Sequence, residues 1–215
     1  MRYLYAVLDS QARVPGLRGV GGTGVEPVRY TDLLVLSGDV PPDLVAHPDA
    51  NALWAHDQVV EAVTSRADAV LPMPFGTTLR DVPHAVTFLS AHHDVLARGL
   101  DRVRGHVEVG VRAVAQGSPA APAPEGSASA SVHDPLAGLC RGYRRATVVH
   151  GATVLAAAYL VPRDRLDDFR ALARHLSRTQ DVSVVCTGPW PPYSFTPSET
   201  GNPAAAQVRW GALTP

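Results

Sequence analysis

Apolar residues recur at steps of three and four along two stretches in the first half of the chain. The longer stretch follows Asp81, and its stripe carries Val82, Val86, Leu89, His93, Leu96, Leu100 and Val103. One face of an α-helix repeats every 3.6 residues, so this stripe predicts one continuous helix of about six turns, with Asp81 as its N-cap. The shorter stretch predicts a helix from Asp49 or Asn51 to about Arg66. The apolar face of that helix carries Leu53, Val60, Val63 and Ala67.

Other stretches have the pattern of β-strands. Residues 106–115 alternate valine or alanine with polar residues or glycine, which indicates a half-buried strand. Arg2 to Leu8 is a short apolar run that stops at Asp9, as a buried strand does. Further strands are predicted at residues 26–30, 33–36, 152–161 and 182–186.

From His106 onwards the predicted elements alternate between strand and helix. A short helix with a basic end is expected from Asp134 to Ala146. A second helix follows Asp164, and its apolar side carries Leu166, Phe169, Leu172, Ala173 and Leu176. The order is strand, helix, strand, helix, strand, with room for one more strand, and it favours a ferredoxin-like α+β sandwich.

These patterns divide the chain into two α+β domains. Residues 1–105 form an N-terminal α+β domain, and residues 106–195 form the C-terminal ferredoxin-like domain. Residues 116–131 are mostly Ala, Pro, Ser and Gly, which predicts a flexible insert in the second domain. Residues 196–215 are polar and contain proline, which predicts a C-terminal tail that frays.

Composition limits the classes of partner. Hydrophobic residues make up 46% of the 215 residues and charged residues 18%, which suffices for a packed core. The net charge of -1 argues against a nucleic-acid partner, which requires a basic face. No stretch approaches the run of about 20 apolar residues that crosses a bilayer, so a membrane is not an expected partner. The two cysteines are far apart and favour a reducing cytoplasm.

Motifs that could carry chemistry lack the context that the chemistry needs. Residues 19–24 match G-x-G-x-x-G, but the residues that follow read as a strand, so a turn is expected instead of a nucleotide site. His92 and His93 point about 100° apart on a helix and cannot easily share one ion. Cys140 and Cys186 lie in apolar contexts that are typical of packed thiols. The sequence therefore predicts no catalytic residue, no cofactor and no metal.

An alternative interpretation is a small ligand- or metal-binding enzyme on a ferredoxin-like scaffold, because that scaffold carries many functions. It would require a pocket with converging polar groups, for which His56, Asp57 and His93 are the candidates.

Residues 187–195 form an unusual segment with three prolines and three aromatic residues. The prolines favour an extended path with little conformational entropy left to lose. Such a segment could cover a sheet as a structural lid, or it could offer an aromatic contact surface to a partner. The sequence supports both interpretations equally.

Several motifs, in this order, resemble those of the gas vesicle proteins of types F and L. They are residues 1–7, the Gly21-Gly22 loop, residues 51–56, 71–77, 104–111, 158–161 and 187–195. The last of these, Thr-Gly-Pro-Trp-Pro-Pro-Tyr-Ser-Phe, is the most specific. The resemblance implies a non-enzymatic, two-domain accessory or minor structural protein that acts in gas vesicle formation, in the cytoplasm and at the gas vesicle. It also implies contact with the small, very apolar shell protein and with other gas vesicle proteins.

Two kinds of surface could contact the shell protein. One is an exposed sheet edge that accepts a further strand. The other is aromatic, and its candidate partner-binding residues are Trp190, Pro191, Pro192, Tyr193, Phe195, Trp54 and Phe75.

Overall fold

The computed structural model describes residues 1–116, 127–146 and 152–197. These residues form two compact units, each a mixture of helices and sheet, which confirms the α+β class. The first unit contains residues 1–105 together with 191–197, and the second lies within residues 106–190. Residues 191–195 were expected in the second domain. They pack on the first unit because their side chains complete its core, as described below.

The first unit is built on a six-stranded sheet in which all paired strands are antiparallel. Its strands are β1 (Arg2–Asp9), β2 (Leu17–Arg18), β3 (Gly24–Tyr30), β4 (Leu33–Asp39), β5 (Val70–Pro72) and β6 (Thr78–Leu79). The order is β2-β3-β4-β1-β5, and β6 pairs with the start of β1. β1 lies inside the sheet and is buried on both faces, which explains why it is a continuous apolar run instead of an alternating one.

Four helices accompany this sheet: α1 (Pro42–Ala46), α2 (Ala50–Thr64), α3 (Val82–Ala91) and α4 (His93–Val103). α2 packs on the face that carries Tyr3, Tyr5 and Leu36, whereas α4 packs near Leu71 on the opposite face. Asp49 caps α2, since its Oδ1 accepts a hydrogen bond from the Ala52 N–H at 2.7 Å.

The long helix predicted from residue 82 to residue 103 is in fact two helices. His92 leaves the helical conformation, with φ -112° and ψ 14°, and separates α3 from α4. Its Nδ1 lies 2.9 Å from the Phe88 carbonyl oxygen, and the two rings are 4.8 Å apart. The apolar stripe continues on both sides of the break. The stripe therefore could not reveal the interruption.

The second unit contains β7 (His106–Ala115), α5 (Ser127–Ala137), β8 (Gly142–Arg145), β9 (Thr153–Pro162), α6 (Leu166–Thr179) and β10 (Val182–Trp190). Its sheet has the order β10-β7-β9-β8, with every pair antiparallel. This is the βαββαβ arrangement of a ferredoxin-like sandwich. Phe169, Ala173 and Leu176 of α6 pack in its core with Val109, Val111 and Tyr159.

At the residues that it describes, the structure differs from three local predictions in this half and in the tail. The helix expected over Asp134–Ala146 ends at Ala137, and the edge strand β8 follows it, because Gly142–Arg145 pairs with β9. Within the insert predicted at 116–131, residues 127–131 belong to α5, while 117–126 lie outside the described residues. Thr196, expected to begin a fraying tail, is buried; residues 198–215 lie outside the described part of the chain.

None of the helices formed by the described residues is long and apolar enough to cross a membrane.

Candidate protein-binding surfaces and the His56 network

His56 occupies the centre of a buried polar cluster in the first unit. It lies on the sheet-facing side of α2 and is 1% exposed. Its Nδ1 is 2.9 Å from Tyr3 Oη, and its Nε2 is 3.2 Å from Tyr193 Oη. The rings of Tyr3, Tyr5 and Phe75 surround the imidazole at centroid distances of 5.6 to 5.7 Å. α2, β1, the loop after β5 and the C-terminal segment therefore meet at this residue.

The hydrogen bonds around His56 fit one arrangement of donors and acceptors. Tyr3 Oη accepts from the Gly76 N–H at 3.1 Å, so its own hydrogen is available to Nδ1 of His56. A neutral imidazole with its proton on Nε2 fits these distances, because Nε2 can then donate to Tyr193 Oη. Burial raises the pKa of Tyr3 and that of Tyr5, so both phenols stay neutral. The cluster joins segments that are distant along the chain.

The pocket that an enzyme would need does not assemble from the predicted residues. His56 binds two phenols in the core, whereas His93 lies near Asp32, with its Nε2 2.6 Å from Asp32 Oδ1. Asp57 is exposed on α2. Within residues 1–116, 127–146 and 152–197, no group of three or more His, Cys, Asp or Glu side chains could hold a metal ion.

The segment of residues 191–197, here called the C-terminal clasp, packs on the edge strand β5 of the first unit. Tyr193 contacts the core on the α2 side through His56. Thr196 Oγ1 donates to the carbonyl oxygen of Pro72, in β5, at 3.3 Å. The Phe195 ring is 2% exposed and lies 5.6 Å from the guanidinium carbon of Arg102, on α4. The clasp thus reaches both sides of β5, as a lid would.

The expected aromatic surface is accordingly divided between buried and exposed residues. Pro191, Pro192 and Phe195 are buried, and Tyr193 and Phe75 are half-buried against the first core. These five residues serve the fold of the unit in this structure. Trp54 and Trp190 remain exposed, at 67% and 43%.

Trp54 belongs to an exposed apolar patch on α2 that sequence reasoning identified only in part. Leu53 is 39% exposed beside it, although the periodicity placed Leu53 on the buried face. The buried face is set instead by Ala52, His56, Val59, Val60 and Val63. Treating His56 as a core residue would have given the correct phase. We name Leu53 and Trp54 the α2 patch; Asp57 and Glu61, one and two turns further along the helix, are exposed acidic residues.

Trp190 ends β10, at the edge of the second sheet, and a glycine positions it. The pairing of β10 with β7 is irregular between Thr187 and Trp190, where Gly188 has φ +104°. A Cβ on Gly188 would lie 2.9 Å from the Glu108 carbonyl oxygen, so only glycine fits there. Arg170 Nη2 donates to the Gly188 carbonyl oxygen at 2.7 Å and fixes the bulge.

Comparison with known proteins identifies the family to which this chain belongs. The family model described as "Gas vesicle synthesis protein GvpL/GvpF" matches residues 1–127 and 120–197. The chain belongs to the GvpL/GvpF family. It is therefore a gas vesicle protein, and the resemblance seen in the motifs is confirmed. The family description names gas vesicle synthesis and no catalysed reaction.

Relatives of both types align along nearly the whole chain. Gas vesicle protein F2 of Halobacterium salinarum is 29% identical over 95% of this chain and 96% of its own length. Gas vesicle protein L of a Streptomyces species is 31% identical over 91% of this chain and 92% of its own length.

Solved structures of GvpF share the fold. The crystal structure of GvpF from Anabaena has a TM-score of 0.78 at 16% identity, covering 91% of this chain and 98% of that one. GvpF from Microcystis aeruginosa gives the same TM-score and coverage at 13% identity. Four of the seven motifs that carried the resemblance meet in the first unit: Tyr3, His56, Phe75 and Tyr193 each come from a different one.

Proposed function

We propose that this GvpL/GvpF-family chain binds the small shell protein of gas vesicles and assists vesicle nucleation or assembly. Family membership supports a role in gas vesicle synthesis. The observation that carries the finer proposal is the α2 patch, where Trp54 is 67% exposed on a firmly packed helix. Large exposed aromatic residues are frequent energetic centres of protein interfaces.

The chemistry of the partner explains why such a surface is useful. A shell subunit must keep apolar surface towards gas, so before assembly that surface is prone to aggregate in water. A partner that covers it with an indole and a leucine side chain removes apolar area from water at about 25 cal/mol per Å². Trp190 offers a second aromatic contact on the other unit. The protein would then act in the cytoplasm, at the growing gas vesicle, together with other gas vesicle proteins.

Co-expression with the shell protein tests the proposal. We expect soluble shell protein to co-purify with the wild-type chain and the amount to fall about tenfold in Trp54→Ala, since a central interface tryptophan contributes about 1.4 kcal/mol or more. Trp190→Ala measures the contribution of the second surface. Val82→Ala is the matched control, because Val82 is an exposed apolar helix residue of the same unit outside the α2 patch.

Failure of the wild-type chain to retain shell protein, under conditions in which both are soluble alone, would refute direct shell binding. Equal losses in Trp54→Ala and Val82→Ala would refute the assignment to the α2 patch.

A further inference from the structure

An open groove lies at the outer edge of the first sheet. Neither Trp54 nor Trp190 lines it. It has a volume of about 810 Å³ and lies between β3 and the loop that follows β1. Its lining residues are Ser10, Gln11, Ala12, Arg13, Val14, Pro15, Gly16, Val25, Pro27, Arg29 and Thr31.

Both walls of the groove are fixed by hydrogen bonds of the main chain. Ser10 N–H donates to the Asp32 carbonyl oxygen at 2.7 Å, which holds the start of the loop. Leu17 pairs with Val25, which holds its end. Between these anchors the loop stands off from β3. Among the described residues, no strand pairs with the outer side of β3 from Glu26 to Tyr30. The unpaired edge of β3 beside this groove is about 17 Å long, from five residues at about 3.4 Å each.

Two of the residues that line the groove are arginines. Arg13 and Arg29 both line it and are exposed, and no ion pair joins either of them to a carboxylate in the part of the chain described here. Arg29 Nε donates to the Ser10 carbonyl oxygen at 3.3 Å, which leaves its two terminal nitrogens available.

The carboxylates next to lining residues in the sequence already have cationic partners. Asp9 accepts two hydrogen bonds from Arg104, at 2.7 and 3.1 Å. Asp32 contacts His93, and Glu26 contacts Arg2. The groove therefore presents two guanidinium groups beside an apolar lining of Val14, Pro15, Val25 and Pro27.

We propose that this groove binds an extended acidic peptide segment of another protein, with apolar side chains on the lining and carboxylates on Arg13 and Arg29. Guanidinium groups bind carboxylates in a two-pronged geometry, and unpaired arginines favour an acidic occupant. Pro27 lacks the N–H that a full β-ladder needs, so side chains hold the segment more than backbone pairing does. A single-stranded nucleic acid is disfavoured because the lining carries no aromatic residue on which bases could stack. This site is independent of the shell-binding surface proposed above.

Fluorescence anisotropy with the full chain tests the groove. The probe is a fluorescein-labelled peptide of about eight residues in which valine alternates with aspartate. This length is enough to span the unpaired edge of β3 beside the groove. A matched peptide carries asparagine in place of aspartate. We expect the aspartate peptide to bind more tightly, and its affinity to fall about tenfold in the double variant Arg13→Gln, Arg29→Gln, since each exposed ion pair contributes up to about fivefold.

Arg66→Gln is the control, because Arg66 is an exposed arginine of the same unit that does not line the groove. It should leave the affinity within about twofold of wild type. Equal affinity for the two peptides, an equal loss in Arg66→Gln, or tighter binding of a single-stranded oligonucleotide would each overturn the proposal. Thermal unfolding of every variant confirms that the fold is intact.

Discussion

His56 shows why a single polar residue decides the phase of a helix. In the sequence it stands between Ala55 and Asp57 and could be a ligand or a core residue. In the structure it is 1% exposed and hydrogen bonded to phenols that come from residues 3 and 193 of the chain. The sequence could not reveal this, because both partners are far away along the chain. Once His56 faces inward, Leu53 and Trp54 must face outward.

Replacing His56 should destabilise the first unit. His56→Leu keeps much of the volume but removes the His56 contact from buried Tyr3 and from half-buried Tyr193. An unsatisfied buried polar group costs about 1 to 3 kcal/mol, so the free energy of unfolding should fall by about that amount. Urea denaturation followed by circular dichroism measures it. Gln58→Ala, an exposed neighbour on α2, should change stability by less than about 0.5 kcal/mol.

His93 gives the first unit a pH-dependent contact. Hydrogen bonds to Asp32 and Asp94 raise the pKa of His93 above its ordinary value of 6.5, and His93 in turn lowers the pKa of Asp32. Because the folded pKa of His93 exceeds the unfolded one, its stabilisation is complete below about pH 6.5 and is lost as the pH rises through the folded pKa.

His93→Gln keeps a hydrogen-bond donor without the charge. The melting temperatures of wild type and His93→Gln should therefore differ most near about pH 6 and converge towards about pH 9, where the imidazole is neutral. A difference that stays constant across this range would rule out a charged His93 as its cause.

At the level of helices and strands, the sequence predicted the elements that have a clear hydrophobic periodicity and missed features that leave no such pattern. β1, β7 and α6 carry clear patterns and were located correctly. The break at His92 and the edge strand β8 were missed. The first is a change of backbone conformation at a single residue, and the second has only four residues, paired to a strand that follows later. Pairing of this kind depends on tertiary structure more than on local preference.

Substitution of Gly188 tests whether the irregular pairing of β10 with β7 requires a glycine at this position. Gly188→Ala adds a Cβ 2.9 Å from a carbonyl oxygen at φ +104°, so we expect a loss of about 2 to 3 kcal/mol in the free energy of unfolding of the second unit. Gly22→Ala is the comparison, because Gly22 also has a positive φ, +70°, but no atom within 4 Å of the added Cβ. It should cost about 1 kcal/mol in chemical denaturation. A smaller loss at Gly188 than at Gly22 would contradict the steric explanation.

The C-terminal clasp should contribute to the stability of the first unit. Phe195→Ala removes a ring that is 2% exposed, and truncation of a buried phenylalanine costs about 3 kcal/mol or more. Hydrogen exchange should show the loss of protection in β5 and α4, which the clasp contacts, before any loss in β9 of the second unit. Val185→Ala, at an exposed apolar position of β10, should leave both units unchanged.

At the scale of the whole molecule, the sequence indicated two α+β domains but not that the first is completed by residues from the far end of the chain. Hydrophobic periodicity assigns residues to elements, and it carries no signal for the unit on which a proline-rich segment packs. The motif of residues 187–195 left two interpretations open. In the structure Tyr193 and Phe195 of this segment pack on the first unit, while Trp190 stays exposed. Of the expected contact surface, the two tryptophans remain available to a partner.

Site-specific photo-crosslinking in vesicle-forming cells shows whether the α2 patch contacts the shell protein. Benzoylphenylalanine replaces Trp54 in one strain and Val82, an exposed control position of the same unit, in another. We expect irradiation to give an adduct with the small shell protein from position 54 and little or none from position 82. Adducts from position 54 only with other proteins, or equal shell-protein adducts from both positions, would contradict it.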